Sequence, residues 1–307
     1  MEINSQVMDP LEKTGFLLRG LYQDHGFTRY HMSKFEEYDL YSRNRDFLLS
    51  EGVITFTDTN GKLMALKPDV TLSIVKNTQD SPGRLQKLYY HENVYRVSES
   101  ADGFREETQV GLECMGPVEE KTISEILSLA AESLSLLSGR YLLEIGHLDL
   151  LKGMAERLGA DAEITARILR LAGEKNLHGI HELCGEYRLP PTEEQRLRRL
   201  LSAYGTPGET LPVLAEVAAG TGLEESVREM EQALAPLRGT EAESHLWIDC
   251  SLSANLKYYH GFAIKGYLEG IPDPVLSGGQ YDALMRRMHR KDRAIGFAVF
   301  LNRLERL

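Results

Sequence analysis

Apolar and polar residues alternate along two neighbouring stretches, Lys87–Arg96 and Thr108–Gly116. A period of two is the signature of strands, so the stretches predict an antiparallel pair, joined by a long mobile loop. In the second stretch Val110, Leu112 and Cys114 fall on one face, and Gln109, Gly111 and Glu113 on the other. An amide, a glycine and a carboxylate in a row predict the floor of a polar pocket, with Gly111 leaving backbone open to a small ligand. Arg96 closes the first strand as a fixed, forked cation suited to carboxylate or phosphate. The competing reading of the same pattern is a half-exposed hairpin whose polar residues are solvated.

The rest of the chain is organised around this pair. Leu11–His25 carries apolar residues at helical spacing and closes near Gly26. Phe27–Phe35 reads as extended. Val53–Asp58 and Leu63–Leu66 flank Asn60-Gly61, a hairpin turn signal. In Leu66-Lys67-Pro68-Asp69-Val70-Thr71 the proline keeps Lys67 extended, Asp69 and Thr71 share a face if the chain stays extended, and a helix from Leu72 puts Thr71 near its N-cap. Ile123 to Leu137 is a helix stopped by Gly139, and Tyr141–Ile145 a short strand. From Leu148 to Gly239 the pattern is helical with no convincing strand; Thr192 and Gln195 form a capping box after Pro190-Pro191. Strands return at His245–Cys250 and Lys257–Tyr267. Ser277-Gly278-Gly279-Gln280-Tyr281-Asp282 is a glycine turn entering a helix, and Ala294–Leu304 a strand passing into a helix.

Composition narrows the function classes. The 307 residues are 42% hydrophobic, enough for a full core. Acidic residues outnumber basic ones 46 to 35, and the net charge of −11 argues against a broad nucleic-acid surface. Cys114, Cys184 and Cys250 are too far apart for a metal-ligand motif and too few for a disulfide framework, which makes a reducing cytoplasm the expected location. No apolar run approaches the length of a membrane span, and the first ten residues lack a signal-peptide core.

In this order the segments resemble the catalytic domain of class II histidyl-tRNA synthetases over nearly the whole chain. Leu66–Thr71 is similar to the family's L-R-P-E-x-T, Tyr95-Arg96 to the F-R of motif 2, and Gln109–Glu113 to Q-x-G-x-E. Leu256–Gly261 is similar to L-D-Y-Y-T-G, Gly278–Asp282 to G-G-R-Y-D, and Ala294–Arg303 to motif 3. The resemblance implies an α+β fold, a class II synthetase-like antiparallel sheet with flanking helices, with a core of residues 1–147 and 244–307 and a helical insertion domain of residues 148–243. It also implies a histidine site of Asp69, Thr71, Arg96, Gln109, Glu113, Tyr258 and Tyr259. One of the two adjacent tyrosines should line the site and the other pack in the core.

The departures carry the functional expectation. The arginine that precedes L-D-Y-Y in the synthetases is Ala254, followed by Asn255, and the aspartate is Lys257. Losing such a donor to a developing negative charge costs on the order of 100–1000-fold in rate. Val97–Ser100 replaces H-E-R-P, Gln280 the arginine of G-G-R-Y-D, Asn302 the motif 3 glutamate, and Ser33 the motif 1 proline. Arg303 is left as part of a vestigial nucleotide site, and no anticodon-binding domain is expected. Amino-acid positions are kept while positions for ATP and tRNA are eroded. The chain thus resembles the synthetase paralogues that serve as regulatory subunits of short-form ATP phosphoribosyltransferase, the first enzyme of histidine biosynthesis. That family implies no catalytic residues, no cofactor and no metal. It implies a short catalytic subunit as partner, free histidine as effector, a homodimer core within a hetero-oligomer, and no nucleic-acid or membrane partner. The alternative is a divergent amino-acid-activating enzyme of the synthetase type. His260 is expected to be a hydrogen-bonded structural histidine.

Overall fold

A computed structural model describes residues 9–45, 48, 52–97, 103–252 and 259–306. Ala254, Asn255, Lys257, Tyr258 and Ser98–Ser100 lie outside the described residues.

The elements in order are α1 (Pro10–Asp24), β1 (Thr28–Arg29), β2 (Phe35–Glu37), α2 (Tyr38–Ser42), β3 (Thr55–Thr57), β4 (Leu63–Leu66), α3 (Thr71–Asn77), β5 (Gln86–Val97), β6 (Phe104–Gly116), α4 (Glu120–Leu137) and β7 (Tyr141–His147). Helices α5 (Leu148–Glu156), α6 (Ala162–Gly173), α7 (Leu177–Glu186) and α8 (Pro191–Ser202) follow. Then come β8 (Tyr204–Gly205), α9 (Pro207–Ala218), α10 (Glu224–Leu234), β9 (Leu246–Asp249), β10 (His260–Leu268), β11 (Leu276–Gln280), α11 (Asp282–Arg287) and β12 (Arg293–Phe300).

Among the described residues nine strands form one sheet in the order β1-β5-β6-β12-β11-β10-β7-β9-β8. From β5 to β7 every pairing is antiparallel; β1 joins β5 and β9 joins β7 in parallel. The chain crosses between distant neighbours, β6 to β12 and β7 to β10, so the centre of the sheet is assembled from both ends of the sequence. A smaller sheet, β2-β4-β3, lies beside it.

Helix α4 places Ile126, Leu127, Ala130 and Leu134 against Leu112, Phe297 and Ile264 of the large sheet, all within one buried cluster. Helices α5 to α10 join that same cluster through residues such as Leu151, Leu200, Leu214 and Met230, and α5, α9 and α10 contact β10, β9 and α4. A second cluster, containing Tyr41, Val70, Ile74, Tyr90, Met115 and Tyr281, lies under the small sheet and α3.

Several local expectations need correction. The Ser277–Gln280 glycine segment is strand β11, not a turn, because both of its edges are taken by partner strands, β10 and β12. The helical region includes a strand, Tyr204–Gly205, which pairs with β9 at the sheet edge. Thr192 and Gln195 make no capping box, since Pro191 starts α8 one residue earlier and Pro190 offers no capping side chain. Capping boxes form instead at Asp9 with Glu12, ahead of α1, and at Thr206 with Glu209, ahead of α9.

Candidate functional site

β6 runs beside β12 with Glu113 opposite Gly296 and Gly111 opposite Ala298. On its other side Tyr90 of β5 stands opposite Gly111. The expected alternation holds: Gln109 and Glu113 face one cavity, together with Asp69, Thr71, Tyr90, Tyr259 and Tyr281. The cavity has a volume of about 40 Å³. That is room for two or three waters, so an amino acid enters only if lining side chains move outward.

Glu113 is the centre of this cavity and is 2% exposed. Its Oε1 accepts the Thr71 hydroxyl at 2.8 Å and its Oε2 the Tyr281 hydroxyl at 2.7 Å. Gly296 permits this placement: a Cβ there would lie 1.9 Å from the Glu113 Oε2. Burial, with the Asp69 charge adding to it, pushes the Glu113 carboxyl from an ordinary 4.5 up to about 8, even though both hydroxyl bonds pull it down. Asp69 is likewise buried and likewise pushed up by burial, against the pull of the Leu72 N–H and the Arg96 charge. Two buried carboxyls in one small cavity, each with its proton held more tightly by burial, make a receptor for a cation or for strong N–H donors.

Asp69, Thr71, Gln109, Glu113 and Tyr259 are brought together as the sequence suggested; Tyr258 lies outside the described residues. Some roles differ. Thr71 is not the N-cap of α3; Asp69 caps that helix, its Oδ1 accepting the Leu72 N–H at 2.8 Å. The chain turns into the helix there, so the Thr71 hydroxyl is directed at Glu113 and not alongside Asp69. Arg96 is not among the residues lining the cavity; it donates to the Pro68 carbonyl at 3.3 Å and to Glu107 at 3.4 Å. Glu107 also accepts the Gln109 amide at 2.8 Å. The open backbone expected at Gly111 is filled: a Cβ there would lie 2.4 Å from the Tyr90 hydroxyl and 2.6 Å from the Phe297 carbonyl oxygen.

Three residues at synthetase nucleotide positions are tied into the fold. Gln280, 2% exposed, accepts the Phe262 N–H at 2.8 Å. Asn302 accepts the Thr108 N–H at 2.6 Å. Arg303 donates to the Pro274 carbonyl, its guanidinium 4.0 Å above the Phe300 ring. His260 bonds Asp282 at 2.9 Å, and Asp282 also accepts the Ala294 N–H and the Arg293 guanidinium, a structural cluster. Among the described residues no group of three His, Cys, Asp or Glu could hold a metal ion, and no helix is long and apolar enough to cross a membrane.

Tyr90 and Tyr281 were missed as site residues. Tyr281 sits inside the quoted Gly-Gly-x-Tyr-Asp segment, so that motif carried the signal. Tyr90 needed the β5–β6 register, which places it over Gly111.

This sheet and its pocket belong to a class II synthetase architecture, and the chain is a member of the histidyl-tRNA synthetase family, whose pattern matches residues 8–304. Curated relatives 22–30% identical carry a more particular description, ATP phosphoribosyltransferase regulatory subunit. The one from Oceanobacillus iheyensis is 23% identical over 290 residues, covering 94% of this chain and 71% of that protein. A Bacillus halodurans structure described as an ATP phosphoribosyltransferase regulatory subunit/histidyl-tRNA synthetase superposes with a TM-score of 0.82 at 23% identity, over 100% of this chain and 82% of that one. A chain of the ATP phosphoribosyl transferase complex from Thermotoga maritima superposes with a TM-score of 0.75 at 20% identity, over 96% and 98%.

Proposed function

We propose that this chain is the non-catalytic regulatory subunit of an ATP phosphoribosyltransferase, acting in the first step of histidine biosynthesis. It activates a separate short catalytic subunit and conveys histidine feedback to it, in the cytoplasm, as a homodimer core within a hetero-oligomer. The observation that carries this reading is the contrast between the pocket and the former nucleotide positions. Asp69 and Glu113 remain buried and line the cavity, whereas Gln280 and Asn302, at nucleotide positions of the synthetases, are bound to backbone N–H groups. A site so arranged holds an amino acid and has lost side chains for activating it. The curated relatives, described as regulatory subunits over most of this chain, support the same reading.

In this pocket Asp69 takes the histidine ammonium, and Glu113 and Gln109 serve the ring side. Arg96 is the cation whose charge acts on Asp69 and is the candidate for the carboxylate, reached when Glu107 yields it. Arg303 is retained as a brace behind Phe300.

The test is reconstitution. Adding this chain to a short catalytic subunit from the same cell should raise phosphoribosyl transfer, and histidine should reverse the rise, because a subunit that prefers the active state shifts its population. A catalytic chain fully active alone and indifferent to this protein overturns the proposal. The intact carboxylate pocket also suits an amino-acid-activating enzyme, so ATP–pyrophosphate exchange separates the two. We expect none with histidine above background.

A further inference from the structure

One oxygen of Glu107 holds two donors at the edge of the cavity. Its Oε1 accepts the Gln109 amide at 2.8 Å and the Arg96 Nη1 at 3.4 Å. Gln109 lines the cavity, and the Arg96 Nε donates to the Pro68 carbonyl, one residue before Asp69. The contact follows from the register. Val94 stands opposite Glu107 across the β5–β6 ladder, so Arg96, further along the same face, reaches Glu107 on the diagonal. Both side chains are largely buried, at 14% and 8% exposure. The surroundings are cationic. Burial holds the Arg303 guanidinium below its usual range, Glu107 and Asp273 raise it, and Arg96 and Arg105 lower it. The β5–β6 pair thus brings Glu107, Arg96 and Arg105 within electrostatic reach of Arg303.

Guanidiniums gathered in this way suit a free carboxylate or phosphate. Here a carboxylate of the chain itself has taken the place, and the fit is loose. A charge-assisted N–H···O bond settles at about 2.7–2.9 Å, and a carboxylate free to turn takes two parallel N–H groups. Glu107 instead meets Arg96 through Nη1 at 3.4 Å, while Nε is spent on Pro68. A better-placed carboxylate would displace it. We propose that Glu107 is a tethered competitor for the carboxylate of the ligand: it occupies Arg96 and Gln109 in the empty protein and sets the ligand concentration at which the site fills. This rests on the reading of the cavity as an amino-acid site, and it adds the residue that fixes that site's threshold. A competitor attached to the chain acts at a fixed effective concentration that dilution cannot lower. The apparent affinity of a carboxylate ligand is reduced by the fraction of time that Arg96 is free. A ligand without a carboxylate does not meet the competitor.

Calorimetry on the full chain tests the idea, with L-histidine and L-histidinol as probes. Histidinol carries a hydroxymethyl group in place of the carboxylate. Glu107→Gln keeps the shape and a carbonyl oxygen for Gln109, and removes the charge that holds Arg96. The ratio of histidine to histidinol affinity should rise about tenfold, the lower end of what a charge-assisted hydrogen bond contributes. Both probes meet the same protein, so a general change in the cavity cancels in the ratio. An unchanged or lower ratio, with histidine bound by wild type and variant alike, overturns the proposal and leaves the amino-acid site standing. Histidine binding by the variant alone is the strongest form of the expected result. If neither protein binds histidine, the amino-acid reading fails and takes the proposal with it. A second measurement needs no variant. A crystal structure of the wild-type chain with histidine should show the ligand carboxylate on Arg96 and Glu107 turned away from it. Glu107 still bonded to Arg96 beside bound histidine overturns the proposal.

Discussion

Glu113→Gln isolates the cost of the pocket's central charge. The wild-type carboxyl is fully buried and stands at about 8, against an ordinary 4.5. Below pH 4.5 it is protonated in the folded and unfolded chains alike, so it brings no penalty there. Between 4.5 and about 8 the unfolded chain releases a proton that the folded chain keeps, and native stability falls as pH rises. Above that window the loss levels off at about 5 kcal/mol, taking ~1.4 kcal/mol per pH unit. Glutamine has nearly the same shape and no ionisation. Its carbonyl can still accept from Thr71, and its amide can donate to the Tyr281 oxygen. Urea denaturation of both proteins from pH 4.5 to 8.5 should show no difference at the acid end. At pH 7.5 the variant should be more stable by up to about 4 kcal/mol. Half of that still moves the urea midpoint by about 1 M for a slope near 2 kcal/mol per M. The same substitution should weaken histidine binding, so stability and function move in opposite directions. Parallel pH profiles for the two proteins would falsify the argument, since they would mean that Glu113 is already ionised in the native state.

Histidine binding at pH 7.5 should release a proton, because a ligand cation or N–H donor draws Glu113 toward carboxylate. Binding enthalpies measured in buffers of different ionisation heat should then differ, and buffer-independent enthalpies count against this. Lys67, 1% exposed, pairs with Glu92 at 2.5 Å. Lys67→Met leaves that carboxylate unpaired and should cost about 3–5 kcal/mol in denaturant unfolding, where a loss below 1 kcal/mol contradicts it. Gln280→Ala strips the Phe262 N–H of its acceptor and should cost about 1–3 kcal/mol, with wild-type stability as the refuting result.

Much of this site was legible because strand alternation is a local rule. Once Val110, Leu112 and Cys114 are assigned to the core, Gln109 and Glu113 must face the other way, and they do. The helix α4 and its stop followed from spacing in the same manner. What escaped depends on contacts between distant segments. Gly111 looked open because its neighbour across the ladder, Tyr90, is 21 positions earlier in the chain. Arg96 looked available because Glu107, its partner on the paired strand, carries no local signal. The Gly278-Gly279 pair looked like a turn because glycine permits a turn, whereas pairing on both strand edges decides for extension.

The cavity's small size has a consequence for communication. A receptor whose empty form is nearly full cannot be occupied without displacing its walls. Those walls stand on separate strands: Tyr90 within β5, Phe300 at the close of β12, and Tyr259 just before β10. A guest that spreads them does work on three places in one continuous sheet. Some binding energy is diverted into that spreading, which weakens apparent affinity in proportion to how rarely the open form is visited. A ready-made pocket would hold its guest more tightly and announce it less. In the proposed role of reporting a metabolite to another subunit, the reluctance of the pocket would be the transducer.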